Sequence, residues 1–162
     1  MNTFSFWPKN LILANQIIAK YPVKQSAILP LLDLAQRQND GWISVCVMEY
    51  VAGLLDMSYV KVHEIASFYS MFNLKPVGKY HIQVCSTTPC WLSGAHELVA
   101  AFEEALGIKC TEVTKDGMFS LREVECLGAC TKAPVAQIND DFHENINPKE
   151  VGKLLRELTD KA

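Results

Sequence analysis

Four of the six cysteines fall into two close pairs, and their placement constrains the fold more than anything else in the chain. Cys85 and Cys90 flank Ser86, Thr87, Thr88 and Pro89, and Cys126 and Cys130 flank Leu127, Gly128 and Ala129. Each pair stands where an apolar, strand-like run gives way to a loop. Loops on a rigid scaffold are where binding chemistry usually sits. Four thiolates brought together from two such loops can hold a metal ion or an iron–sulfur cluster. The fold expected is therefore one that delivers two strand ends to the same edge of a sheet.

The bulk properties fit a soluble globular chain. It has 162 residues, 49% hydrophobic and 20% charged, which is enough to bury a real core. The formal charge of -3 offers no basic excess for nucleic acid. No apolar stretch approaches the roughly 18–20 uninterrupted residues needed to span a bilayer. Residues 1–10 hold one Lys and no Arg, unlike a secretory signal or an Arg-rich transit peptide, so a bacterial cytoplasmic or mature form is expected. Thiols in that setting stay mostly reduced, which favours metal binding over a disulfide framework.

The first 75 or so residues read as four helices. Leu11, Ile12, Ile17 and Ile18 mark the first, which ends before Pro22. Ser26 is placed to cap a second carrying Ile28, Leu31, Leu32 and Ala35, and Asn39–Gly41 stops it. Ser44 is placed to cap a third with Val47, Val51, Leu54 and Leu55, and Ser58 a fourth with Val62, Ile65, Phe68 and Tyr69. Their apolar stripes are expected to bury one another in a small helical bundle over residues 1–76.

Pro76 and Gly78 mark a change of regime. Tyr80, Ile82 and Val84 alternate with His81 and Gln83, the period of a half-buried strand that runs into Cys85. A helix follows Cys90, with Leu92, Ala95, Leu98, Val99, Phe102 and Leu106 on one face and Gly107 as its stop. Residues 108–114 and 118–124 read as two strands joined by Lys115-Asp116-Gly117, a strong short-hairpin signal. Residues 134–138 make a fourth strand, Asn139–Asp141 turn the chain, and Pro148 opens a last helix with Val151, Leu154, Leu155 and Leu158. Strand, helix, three strands and helix is the order of a thioredoxin-like α/β fold over residues 77–162, with a right-handed parallel first unit and one helix expected on each face of a four-stranded mixed sheet. Such folds often carry a cis proline just before the strand beside the active loop. Pro134 occupies that place, although only about 5–6% of X–Pro bonds in folded proteins are cis.

The cysteine spacings leave more than one chemistry open. A 2Fe–2S cluster takes four thiolates, and plant-type ferredoxins also separate two of theirs by four residues. Gly128 and Ala129 leave room for a cluster and let the backbone approach it. Structural zinc also takes four cysteines at gaps of two to four residues. A thioredoxin-type disulfide has two intervening residues, not four. Cys46, in the third helix, and Cys110, in a strand pattern, lack partners at ligand spacing and read as buried thiols. His63, His81, His96 and His143 are scattered and read as surface or half-buried residues.

Longer strings carry a resemblance. Ser67-Phe68-Tyr69-Ser70-Met71-Phe72, Lys75-Pro76-Val77-Gly78-Lys79-Tyr80-His81-Ile82, Cys85–Cys90, Glu125-Cys126-Leu127-Gly128-Ala129-Cys130, Ala133-Pro134-Val135 and Asn139-Asp140-Asp141 with Glu144-Asn145 resemble the small, E-type thioredoxin-like 2Fe–2S subunit of respiratory NADH:quinone oxidoreductase (complex I). The likeness runs from about residue 21 to the C-terminus. It implies one 2Fe–2S cluster held by Cys85, Cys90, Cys126 and Cys130, in a helical region followed by a thioredoxin-like ferredoxin domain. It implies a one-electron carrier that exchanges electrons with the FMN of an adjacent NADH-binding flavoprotein subunit, within the peripheral arm on the cytoplasmic or matrix side of the membrane. This chain would hold neither NADH nor FMN by itself, and it has no Gly-rich dinucleotide fingerprint. It departs from the family pattern at Trp91 and Ser93, at Thr131-Lys132 and at His143.

The same type of subunit occurs in soluble NAD-linked hydrogenases and formate dehydrogenases, which the chain alone does not separate from the respiratory enzyme. A rival of another class is an iron–sulfur redox sensor that binds DNA through a helix-turn-helix over residues 51–69. Against it, the would-be recognition helix carries only Lys61 as a cation, with Glu64 nearby.

Overall fold

The computed structural model describes residues 3–160. The first two and last two residues, with which the expected domains begin and end, lie outside the described residues. The chain divides into two compact units, Met1–Pro76 and Val77–Ala162.

The first unit is built from helices α1 (Pro8–Ile18), α2 (Ile28–Gln38), α3 (Val45–Leu55) and α4 (Tyr59–Phe68). Pro8 occupies the first turn of α1, where its missing N–H costs nothing. The Ser44 and Ser58 hydroxyls accept from the Val47 and Lys61 amides at 3.3 and 3.4 Å, so α3 and α4 start where the sequence places them. Ser26 does not cap α2. It lies inside a 3-10 turn, Lys24–Ala27, and Ala27 precedes α2 with no side-chain cap. The core gathers Leu31, Leu32 and Ala35 from α2, Val47, Val51 and Leu55 from α3, and Val62 and Ala66 from α4. The expected stripes are not all buried: Ile12 on α1 and Phe68 at the end of α4 are exposed, whereas Phe72 enters the core.

The second unit holds a four-stranded sheet of β1 (Tyr80–Cys85), β2 (Phe119–Val124), β3 (Ala136–Ile138) and β4 (Asp141–His143), in the order β2-β1-β3-β4. β2 is parallel to β1, while β3 and β4 run antiparallel to their neighbours. The connection from β1 to β2 passes through a short helix, α5 (Thr88–Leu92), and a longer one, α6 (Ala95–Leu106); α7 (Val151–Thr159) closes the chain. Gly78 leads into β1 against the backbone of β2, where an added Cβ would sit 2.4 Å from the Phe119 carbonyl carbon. Only glycine fits that approach.

Two features differ from expectation. Residues 108–114 do not form a strand. Thr111 takes a positive φ of 76°, which breaks the extended run, and Lys109 and Glu112 close a local turn there. The Asp-Gly turn does form, with Asp116 accepting from Thr114 and Met118, but its outer arm keeps only a single bridge, Val113 to Ser120. The fourth strand is instead β4, reached through Asn139 at positive φ, a conformation that asparagine tolerates.

The helices also do not divide between the two faces. Leu98, Val99 and Phe102 of α6 and Val151 and Leu155 of α7 share one core with Ile82, Val84, Phe119, Leu121, Ala136 and Ile138, which lie on a single face by the strand registers. The opposite face carries His81, Gln83, Ser120, Arg122 and Gln137. A helix laid there would bury polar side chains at a cost of a few kcal/mol each without partners.

Candidate metal centre

Parallel pairing decides where the cysteines go. Cys85 is the last residue of β1 and pairs with Val124, the last of β2, so both chains leave the sheet at one edge. The ladder continues into the loops: the Ser86 amide donates to the Val124 carbonyl at 2.9 Å and the Thr87 amide to the Glu125 carbonyl at 3.2 Å. On the other side the Cys85 amide donates to the Val135 carbonyl at 3.0 Å, joining the segment that follows the second pair. The Ala133–Pro134 bond in that segment is cis. Pro89 in the first turn of α5 sets the turn that brings Cys90 inward.

Cys85 and Cys90 are buried, 3% and 2% exposed, in a small cluster with Ala95 and Val135, against which Leu127, Ala129 and Ala133 pack. Cys126 and Cys130 are exposed on the second loop. Among the described residues, no three His, Cys, Asp or Glu side chains gather about one point as ligands of a single ion.

The sulfurs are surrounded by donors. Burial pushes the Cys85 thiol up, but the amides of Leu127 and Thr87 and the side chains of Cys90 and Thr87 outweigh it and bring its pKa below the ordinary value. Cys90 is pushed up to about 11 by burial, by its hydrogen bond to Cys85 and by the charges of Cys85 and Cys130, against a stabilising Val135 amide. The buried pair is thus asymmetric, with Cys90 donating and Cys85 accepting. The Gly128 amide lies 3.4 Å from the Cys126 sulfur, and Gly128, at a φ of 75°, has nothing within 4 Å of where a Cβ would stand. Amides aimed at sulfur and an open glycine turn are the donor chemistry that anionic sulfurs of an iron–sulfur group require. The residues present fit such a group.

Other residues stay apart. Cys46 is half-buried in α3. Cys110, also half-buried, lies in the turn that replaces the expected strand, and burial with the Glu123 and Glu103 carboxylates pushes its thiol up to about 11, which keeps it unreactive. His63 and His96 are exposed, His81 and His143 half-buried. The single lysine of α4, Lys61, pairs with Glu64 at 2.9 Å, which leaves a DNA backbone little to engage. The amide donors of Leu127 and Val135 escape sequence reasoning, because a backbone N–H carries no residue-type signal.

A family model for the thioredoxin-like [2Fe-2S] ferredoxin matches residues 14–159. The chain belongs to that family. It is 59% identical over 164 residues to the E-type subunit of NADH-quinone oxidoreductase from Rickettsia bellii, covering 98% of each chain. It is 47% identical over 157 residues to the mitochondrial NADH dehydrogenase [ubiquinone] flavoprotein 2 of Dictyostelium discoideum, covering 96% of this chain and 64% of that one. Among solved structures, an NAD+-reducing [NiFe]-hydrogenase in the air-oxidized state superposes with a TM-score of 0.70 at 19% identity. That match covers 81% of this chain and 23% of the other, and shows the common fold. Members of the family carry a 2Fe–2S cluster by definition of the domain. Among the described residues no helix is long and apolar enough to cross a membrane.

Proposed function

We propose that this chain is the one-electron carrier of an NADH:quinone oxidoreductase, with Cys85, Cys90, Cys126 and Cys130 holding one 2Fe–2S cluster as two pairs. The observation that carries the reading is the parallel β1–β2 register, which sends both cysteine loops from one sheet edge. The 59% identity to the rickettsial NADH-quinone oxidoreductase protein, over 98% of both chains, supports the choice of complex. The hydrogenase likeness speaks for the fold alone, so the soluble-enzyme alternative stands behind it.

When bound, such a cluster supplies one-electron storage beside a flavin that receives two electrons at once as hydride. The chain's own residues provide the surroundings. Burial of Cys85 and Cys90 excludes water from one side of the site. The Leu127, Thr87, Val135 and Gly128 amides offset negative charge on the sulfurs, and hydrogen bonds that continue the strand ladder hold the Thr87 and Val135 segments in place. The partner in this reading is the flavoprotein that binds NADH and FMN, in a peripheral arm on the cytoplasmic or matrix side of the membrane.

Reconstitution of the purified full chain with iron and sulfide tests the proposal. The expected product holds about two irons and two sulfides per chain and gives a rhombic or axial paramagnetic resonance signal on reduction. A colourless protein with one tightly held zinc would replace the cluster with a structural metal. Co-purification of the tagged chain with a flavin-containing protein tests the partner.

A further inference from the structure

Helix α1 lacks the polar outer face that a surface helix normally turns to water. Of its 11 residues only Ala14 is fully buried, with Ile17 and Ile18 packed partly against the core. Leu11, Ile12 and Leu13 form an unbroken apolar run, and all three are exposed, at 37%, 61% and 41%. Consecutive helical residues point about 100° apart, so one contact with the bundle does not cover all three. Ile12 stands roughly 160° around the axis from Ala14, on the side turned away from the core. An exposed run of this kind marks a surface that something covers.

The charge around the run is one-sided. Residues 1–32 hold Lys9, Lys20 and Lys24 and no Asp or Glu, whereas residues 33–162 hold 12 Lys and Arg against 18 Asp and Glu. Lys24 pairs with Asp56. Lys9 and Lys20 are exposed, and neither forms an ion pair among the described residues. Lys9 lies in the first turn of α1 and Lys20 in the turn that ends it, roughly 16 Å apart along the axis at 1.5 Å per residue. The run therefore has a cation at each end and no anion on its own helix.

We propose that the outer face of α1 docks in an apolar groove, rimmed by acidic side chains, on a neighbouring subunit of the oxidoreductase. Ile12 and its neighbours enter the groove, and Lys9 and Lys20 meet carboxylates at its two ends, which fixes the register. A membrane surface is the poorer occupant. Polybasic segments that hold anionic lipid carry about four to eight Lys or Arg, whereas α1 offers two and exposes Asn15 and Gln16 as well. A second copy is also poorer, because α1 laid on α1 sets lysine against lysine. The inference rests on the reading of this chain as a subunit of that complex.

Photo-crosslinking in the assembled complex tests it. Ile12 is replaced by p-benzoylphenylalanine in the tagged full chain, and the irradiated complex is digested and mapped by mass spectrometry. The expected result is a crosslink to another subunit, at an apolar site flanked by Asp or Glu. Its yield should fall roughly tenfold in Lys9→Glu/Lys20→Glu and persist in Lys9→Arg/Lys20→Arg. The mapping needs neither lysine variant, so it decides the matter even where charge reversal unfolds the chain. A crosslink to a second copy, a crosslink to lipid on irradiation with phosphatidylglycerol vesicles, or no crosslink in a complex that retains the chain overturns the inference. So does a target site without acidic neighbours, or a folded charge-reversed variant that crosslinks as well as the wild type. Failure of the tagged wild-type chain to co-purify with a flavin-containing protein is a different result, which refutes the reading beneath the inference.

Discussion

His81 gives the sharpest quantitative prediction. It sits on the polar face of β1, opposite Ser120 on β2. Its Nδ1 lies 2.8 Å from the Ser120 hydroxyl, which also accepts from the Gly78 amide at 3.0 Å. Its Nε2 is buried with no hydrogen-bond partner. A second ring proton would thus be buried without an acceptor, near the Arg122 guanidinium. Burial first, and then Arg122, lower the His81 pKa from 6.5 to about 4. The native state therefore disfavours the proton that the unfolded chain binds below about pH 6.5, and stability is full above that pH and falls as the pH drops toward 4. Integrated from about pH 8 to pH 5, the loss is about 2 kcal/mol, an upper value for a half-buried ring. Urea unfolding of the full chain across that range, compared with His81→Gln, isolates this contribution, since carboxylates common to both proteins cancel in the difference. The wild type should lose about 2 kcal/mol more than the variant. Parallel curves, or a His81 ring resonance that titrates near 6.5, would refute the argument.

Single Cys→Ser changes at Cys85, Cys90, Cys126 and Cys130 should each abolish or cripple cluster uptake, read from iron content and visible absorption. The same change at Cys46 or Cys110 should leave both intact. Gly78→Ala places a methyl group against the β2 backbone, and a fall in the thermal midpoint of several degrees is expected, corresponding to about 1–3 kcal/mol. Phe102→Ala, at a fully buried site between α6 and the sheet, should cost about 3–5 kcal/mol in denaturant unfolding. Ser44→Ala should cost about 0.5–2 kcal/mol through loss of the bond to the Val47 amide, measured the same way.

Much of the second unit was legible because its signals are local. The alternation of Tyr80, Ile82 and Val84 with His81 and Gln83 names both the strand and its buried face, and the Asp116-Gly117 turn carries its own side-chain bonds. The caps at Ser44 and Ser58 were legible for the same reason. The errors occur where a local signal meets a non-local one. Ile108 and Val113 look like strand residues, but the turn at Lys109–Glu112 and the positive φ of Thr111 cut the run short and leave Val113 one isolated bridge, to Ser120. Ser26 has capping chemistry, yet it is taken into a 3-10 turn that ends one residue before α2 begins.

By itself the sequence determined the residue types: four sulfurs in two spaced pairs, a glycine at Gly78 where a side chain would crowd a backbone and one at Gly128 where the chain turns, and the apolar stripes that the helices and β1 bury. Those are properties of single residues and of short periods, which a chain carries whether or not it is folded. The tertiary structure decided which strand pairs with which, that α6 and α7 share one face, and that Cys85 and Cys90 are buried while Cys126 and Cys130 are exposed. It also decided which amides meet which sulfurs. Backbone donors look alike at every position, so the register of β1 against β2 and β3 sets the charge environment of the site.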